Sequence, residues 1–340
     1  QIALAGDSVY VNTSSLRYRT SAQIKDNNIA GNLSYGQKLE RVGTSGQWTM
    51  ILLNGKKYYV SSAYVTSKKP ASAGAVQTTS QTAAGAQTSG GTAIALSSNY
   101  KYANYSKINS GTATLYRSTA SNKKNKVVCV NAGHGTNGGG SVKTQCHPDG
   151  SAKVTGGTTG AGATSAVAVS SGMTFADGTA ESKVTLAMAK VLKTKLLNAG
   201  YDVLMIRESD DVQLDNIART VIANNNADCH IALHWDSTSS NKGAFFMSVP
   251  SNATYRAMEP VASHWKQHNQ LGESLISGLK SAGVKIYSKG SMEMDLTQTS
   301  YSTIPSVDIE LGDKASDHSG ATLETLANGL LAGVNIFFGQ

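Results

Sequence analysis

The sequence predicts an α/β protein, with a mostly parallel twisted sheet carrying helices on both faces, preceded by a small all-β barrel. Three observations lead there. Residues 1–66 hold short β-branched and aromatic runs separated by turn signals. Residues 71–98 are almost entirely Ala, Ser, Thr, Gly and Gln, with too little apolar bulk to offset their ordering entropy. From Lys126 onward, short apolar strands alternate with segments of helical periodicity, the pattern of a parallel sheet covered by helices. The chain therefore divides into a small β domain (1–66), a linker and lead-in segment (67–125) and an α/β domain (126–340). At about 150 residues per domain, a length of 340 is consistent with this.

In the first domain, residues 8–11, 38–42, 48–52 and 57–60 read as strands. Tyr35-Gly36, Ser45-Gly46 and Asn54-Gly55 read as turns between them, and the Asn-Gly pair favours a tight type I′ hairpin. In the last domain, residues 127–130 form an apolar strand that ends in the turn Asn131-Ala132-Gly133-His134-Gly135. Val184, Met188, Val191, Leu192 and Leu196 make one apolar stripe on a helix over 181–198, stopped by Gly200. Strands follow at 202–206, 229–233 and 306–311, and helices at 214–224, 271–279 and 322–337.

Composition excludes several classes. Hydrophobic residues at 40% and charged residues at 15% rule out a highly charged disordered chain. Thirty-four glycines against five prolines, with no triplet period, rule out collagen. No run of 18 consecutive apolar residues occurs, so no membrane span is expected. Cys129, Cys146 and Cys229 are too few for a disulfide scaffold and too far apart for a zinc finger. Cys129 and Cys229 each lie five residues before a histidine, and are expected to be small buried residues at matching depths in neighbouring strands. The net charge of +8 suits an anionic polymer. Nucleic acid is disfavoured as that polymer, because the basic residues are scattered and no recognition motif accompanies them. The sequence opens at Gln1 without a charged-then-apolar leader, which fits either a removed signal or a trimmed chain.

Ligands of such sheets bind beyond the carboxyl ends of the strands. His134 and His234 follow two of those strands, Glu310 ends a third, and Glu181 opens the helix after the first strand's long connection. Two imidazoles and a carboxylate with one open position are the ligand set of a hydrolytic zinc site, and a further carboxylate can take a proton from water. Spacing alone leaves the alternative open: a turn histidine, a satisfied core histidine, and a first-turn acid favoured by the helix dipole.

Ala132-Gly133-His134-Gly135 after an apolar strand resembles the first ligand motif of the zinc-dependent N-acetylmuramoyl-L-alanine amidases of the amidase-3 type. Glu181 resembles the second ligand, and His234 after Ile231-Ala232-Leu233 resembles the third. Residues 304–312, with Glu310 in Ile309-Glu310-Leu311-Gly312, are similar to the family's catalytic-glutamate strand. The resemblance runs in order from residue 126 to 340. It implies a secreted, autolysin-like cell-wall hydrolase, binding Zn2+ through His134, Glu181 and His234, with Glu310 as base and then acid. The implied substrate is the amide between N-acetylmuramic acid and L-alanine of peptidoglycan. Anionic wall polymers are a second class of partner.

The chain departs from the family pattern at Asn131-Ala132, Asp236 and Asp313, and in the length of the connection from His134 to Glu181. Residues 1–66 resemble a bacterial SH3-like wall-binding domain, through Leu16-Arg17-Tyr18-Arg19, Gly36, Trp48, Gly55 and Val60-Ser61-Ser62-Ala63-Tyr64-Val65. The competing functions are another zinc peptidase or deacetylase, and a non-enzymatic wall-binding protein with a degenerate hydrolase domain.

Lesser candidates have structural readings beside functional ones. His264 and His268 have chelating spacing but read as surface residues. Cys146-His147 is an adjacent pair with little meaning alone. Arg207 and Arg219 suit a substrate carboxylate or, more simply, ion pairs. Tyr100, Tyr102 and Tyr105 read as packing against the α/β domain. The connection 137–180 reads as a hairpin-bearing rim beside the cleft, built on the runs at 166–169 and 173–175.

Overall fold

The computed structural model describes residues 7–11, 15–23, 26–34, 36–67 and 90–340. The linker reading for 71–89 lies outside the described residues, as does Tyr35 of one expected turn. The chain separates into two compact units, residues 1–83 and 84–340.

The first unit holds β1 (Asp7–Val11), β2 (Ser15–Arg19), β3 (Ile29–Ser34), β4 (Lys38–Ser45), β5 (Trp48–Leu53), β6 (Lys56–Ser61) and β7 (Val65–Thr66). They form an antiparallel sheet in the order β3-β2-β6-β5-β4-β1-β7. Alternation places Val9, Val11, Leu16, Leu33, Leu39, Ile51 and Val60 in one small core. The turn between β5 and β6 has positive φ at both Asn54 (49°) and Gly55 (75°), as a type I′ hairpin requires.

The second unit is built on one eight-stranded sheet. Its strands are β8 (Thr92–Ala95), β9 (Thr112–Tyr116), β10 (Val127–Ala132), β13 (Asp202–Met205), β14 (Cys229–Asp236), β15 (Ala244–Ser248), β16 (Ile286–Glu293) and β17 (Ser306–Asp313). Their spatial order is β16-β15-β17-β14-β10-β13-β9-β8. The centre is parallel: β13, β10, β14 and β17 run together. Strands β8 and β9 come from the segment that composition assigns to the lead-in, and they add antiparallel to one edge. On the other edge β15 is antiparallel to β17, and β16 is parallel to β15. Two short strands, β11 (Lys143–Gln145) and β12 (Ser165–Val167), pair as a separate hairpin inside the long connection.

The helices are α1 (Glu181–Asn198), α2 (Asn216–Asn226), α3 (Ala253–Ala257), α4 (Val261–Ser281), α5 (Thr297–Tyr301) and α6 (Gly320–Phe338). One sheet face packs on α1, α4 and α6, burying Val130, Val184, Leu192, Ile231, Leu275, Ile309 and Leu330 in a single core. The other face, with Cys129, Leu204 and Ile206, packs on Ala218 and Ile222 of α2. Each fully buried Leu, Ile or Val stabilises the fold by about 1.5–3 kcal/mol before entropy is counted. Asp215 caps α2 by accepting from Ala218 N at 2.7 Å, and it also accepts from Ile108 N at 2.9 Å, so one buried carboxylate starts the helix and ties down the lead-in. Tyr102 and Tyr105 stack edge-on against Tyr301, each at 5.5 Å, and Tyr100 joins the same cluster, so the tyrosines pack as expected.

By length and composition α6 is also able to cross a membrane, the one such helix among the described residues. It lies against α1 and α4, with Leu323, Leu326, Leu330 and Val334 buried.

Candidate metal and proton-transfer site

The site lies at the carboxyl ends of β10, β14 and β17. On β14, His234 pairs in register with Glu310 of β17, so the two side chains stand side by side on one face. Asp308, two residues before Glu310, shares that face. Beyond β10, Gly133 N donates to Leu233 O at 3.1 Å and carries the turn past His234. A Cβ at position 133 would fall 2.2 Å from His234 Cε1, so the ring can lie there only over a glycine. The next residue, His134, takes left-handed backbone with φ 63°, an unusual conformation for a side chain of its size and one that clusters at functional sites.

Two buried arginines hold that backbone. Arg219 donates to His134 O at 2.7 Å and Ala132 O at 3.2 Å. Arg207 donates to Gly133 O at 2.9 Å and Ala132 O at 3.1 Å. Burial lowers their pKa to about 9 for Arg219 and about 10 for Arg207. Among the described residues neither forms the ion pair expected from sequence; carbonyl oxygens of the turn take that place.

His134, Glu181 and His234 converge. Each offers a ligand atom within 4.8 Å of the others. His134 Nε2 is 2.9 Å from Glu181 Oε2 and 3.0 Å from His234 Nδ1, which is 3.2 Å from Glu181 Oε1. Backbone amides fix the carboxylate: Trp235 N donates to Oε1 at 3.0 Å and Met173 N to Oε2 at 2.9 Å. Burial works against its charge, but the bonds from His134 and His234 prevail and hold the Glu181 carboxyl well below the usual range. Burial likewise opposes a charged His234, yet Asp308, Glu181 and Glu310 raise it to about 10.

Glu310 is 9% exposed, and its Oε2 has no hydrogen-bond partner among the described residues. Burial first, and then the neighbouring Asp308 charge, push the Glu310 carboxyl well above its ordinary value. All five groups border one cavity of about 500 Å³. The cavity is also lined by Lys153, Val167 and Ser170 of the 137–180 connection, and by Met294 and Gln298. The arrangement can hold a divalent cation between two imidazoles and a carboxylate, beside a proton-accepting group.

Other expectations fare differently. His268 is buried rather than on the surface: its Nδ1 accepts from Ser306 N at 3.0 Å, and burial lowers its pKa to about 3. His147 meets Asp295 at 2.9 Å and Ser151 at 2.9 Å, away from the triad. Cys129 and Cys229 are fully buried free thiols, but Cys229 pairs with Val128, so the two sulfurs face opposite sides of the sheet. Sequence reading missed Asp308, although its two-residue spacing from Glu310 on a strand marks a shared face. It also missed the amides of Met173 and Trp235, which leave no trace in side-chain chemistry.

No curated protein sequence matches the chain as a relative. Among solved structures, the chain is similar to the N-acetylmuramyl-L-alanine amidase Ami1 of Mycobacterium smegmatis, at 20% identity and TM-score 0.48, covering 64% of this chain and 99% of that one. An N-acetylmuramoyl-L-alanine amidase of Clostridium difficile 630 gives 18% identity and TM-score 0.45, covering 63% and 97%. AmiC2 of Nostoc punctiforme gives 15% and 0.44, covering 64% and 100%. The model of the N-acetylmuramoyl-L-alanine amidase family, Amidase_3, matches residues 128–328. That span is more than half of the chain and contains all five groups that border the cavity. The chain belongs to the N-acetylmuramoyl-L-alanine amidase family.

Proposed function

We propose that this chain is a zinc-dependent enzyme that hydrolyses the amide between N-acetylmuramic acid and L-alanine in peptidoglycan. His134, Glu181 and His234 are the metal ligands and Glu310 is the proton shuttle. The observation that carries this is the convergence of those three ligand atoms within 4.8 Å, beside the buried Glu310 carboxyl.

The donor set fits zinc. His134 Nδ1 donates outward to Ser170 O at 2.8 Å, which leaves Nε2 to face Glu181 and His234 as the ligand atom. Mixed nitrogen and oxygen ligands of this kind suit Zn2+ and leave a position open. When bound, zinc supplies Lewis acidity that polarises the scissile carbonyl and brings the pKa of water down to about 7.

Glu310 carries the proton. A raised carboxyl accepts a proton from the attacking water and gives it up again without a large penalty. Its Oε2, having no hydrogen-bond partner among the described residues, can return that proton to the leaving nitrogen. An amine leaves poorly unless protonated, so one carboxyl acts first as base and then as acid. Glu181 stays a ligand because the amides of Met173 and Trp235 and its depressed pKa keep it ionised.

Residues 1–66 act as an SH3-like wall-binding domain, followed by the linker and lead-in segment 67–125, whose strands β8 and β9 complete the sheet of the catalytic domain at 126–340. The antiparallel sheet with its small core supports this part. The enzyme works outside the cell, with peptidoglycan as substrate and anionic wall polymers as a further contact for its net charge of +8.

The test separates the two roles. Glu310→Gln is expected to retain zinc and lose turnover. His134→Ala, Glu181→Ala and His234→Ala are expected to lose zinc itself. Near wild-type turnover in Glu310→Gln would overturn the mechanism.

A further inference from the structure

Asp308 is a charged residue in the middle of an inner strand, a position that favours β-branched and aromatic side chains. Its neighbours Val307 and Ile309 are fully buried. Asp308 Oδ1 makes no hydrogen bond among the described residues, so the carboxylate bears a desolvation cost that its contacts do not repay. Its other oxygen, Oδ2, lies 3.5 Å from His234 Nε2. The opposite nitrogen of that ring, Nδ1, is the one that faces His134 and Glu181.

The two imidazoles are thus built alike. His134 turns Nδ1 outward to the Ser170 carbonyl and Nε2 inward. His234 turns Nε2 outward to Asp308 and Nδ1 inward. An acceptor on the outer nitrogen fixes the tautomer and the plane of a ligating imidazole and makes its inner nitrogen a better donor.

We infer that Asp308 is a positioning residue for His234, holding the imidazole with Nδ1 directed at the metal position, an inference that rests on the zinc-ligand reading above. Asp308 touches neither metal nor substrate in this role. It acts through the proton on Nε2 and through the register of β17 against β14, which sets Asp308 opposite Ala232, beside and below the ring.

The test uses the full chain with Asp308→Leu and Asp308→Asn. Three quantities are measured: zinc affinity by competition with a chromogenic chelator, the d–d spectrum of the Co2+-loaded protein, and thermal unfolding of the chelator-treated protein. Asp308→Leu is expected to bind zinc about 10- to 100-fold more weakly and to change the Co2+ spectrum. Its metal-free protein is expected to melt no lower than wild type, because a half-buried carboxylate with an unpaired buried oxygen has been removed. In Asp308→Asn an amide oxygen remains beside Nε2, where it can accept its proton once the ring is held by the metal, and most of the affinity is expected to return.

Wild-type zinc affinity in Asp308→Leu would overturn the inference. So would a fall in metal-free stability that accompanies the affinity loss, which would mark a structural role, or equal affinity loss in both variants. A wild-type chain that takes up no zinc would instead overturn the ligand reading, and this inference with it.

Discussion

Replacing Asp295 with alanine is expected to detach one wall of the cleft. Asp295 sits between β16 and α5 and is fully buried. It accepts hydrogen bonds from His147 Nε2, Val154 N and Thr155 N, each at 2.9 Å, from Lys153 Nζ at 3.1 Å, and from the Thr155 hydroxyl. Every one of those donors belongs to the 137–180 connection, so one carboxylate clasps the connection to the segment between β16 and α5, whose Met294 and Gln298 line the cavity. Burial opposes its charge, but the bonds from His147, Thr155 and Val154, together with the Lys153 charge, hold its pKa below the usual carboxylate range.

Removing the carboxylate leaves Lys153, only 8% exposed, without its counter-charge. Breaking a buried pair in this way costs about 3–5 kcal/mol. In a unit of this size each kcal/mol lowers the melting temperature by about 2–4 °C, so a fall of about 6–20 °C is expected if the loss is global. If the loss stays local, the connection opens about a thousandfold more often, and protease cleavage moves into it. Differential scanning calorimetry and limited proteolysis read the two cases. An unchanged melting temperature together with an unchanged cleavage pattern would refute the clasp. The same bond implies a pH effect. Because the folded-state pKa is depressed, the stabilisation is complete above the unfolded value of about 4 and is lost as pH falls below it.

Two further expectations can be checked independently. In Gly133→Ala the new Cβ would fall 2.2 Å from His234 Cε1, so the ring must retreat by about 1 Å to reach ordinary contact. Zinc affinity and kcat are expected to fall together, kcat by about 100-fold, as measured by chelator competition and release of free amines; a variant with wild-type values would show that the glycine is not needed. Deleting residues 1–83 is expected to weaken binding to intact cell walls in pull-down assays while leaving hydrolysis of small soluble muropeptides unchanged, since a tethered module raises local concentration without adding catalytic contacts; equal binding would reduce the first unit to a spacer.

What the sequence makes legible follows from which forces are local. The strands at 127–130, 202–206 and 229–233 are largely buried on both faces, so they appear as short, mostly apolar runs, broken only by Asp202 at one start and His230 inside another. Helix α1 has the same bounds as its periodic stripe because Glu181 opens it and Gly200 closes the turn after it. The edge strands are another matter. Thr92–Ala95 and Ile286–Glu293 carry Ala, Ser, Gly and Lys, and only their neighbours in the sheet make them strands. At the site, His134, Glu181, His234 and Glu310 could be read from strand ends and family resemblance.

Contacts over long sequence separations could not be read. Lys153 and Asp295 are brought together across 142 residues, and His268 accepts from Ser306 N across 38. Cys129 and Cys229 share a spacing to the histidines but not a face, because β10 and β14 pair one residue out of that alignment. The left-handed turn at His134 compensates for the same offset by bringing its ring back beside His234.

The most direct test of the account is mass spectrometry of the products released from purified peptidoglycan by the zinc-loaded chain, with the metal-free chain and Glu310→Gln beside it. The account predicts intact stem peptides with a new free amino terminus on L-alanine, unbroken glycan strands, and no product from either control. New reducing ends, amino termini within the stem peptide, released acetate, or equal product from the metal-free chain would contradict it.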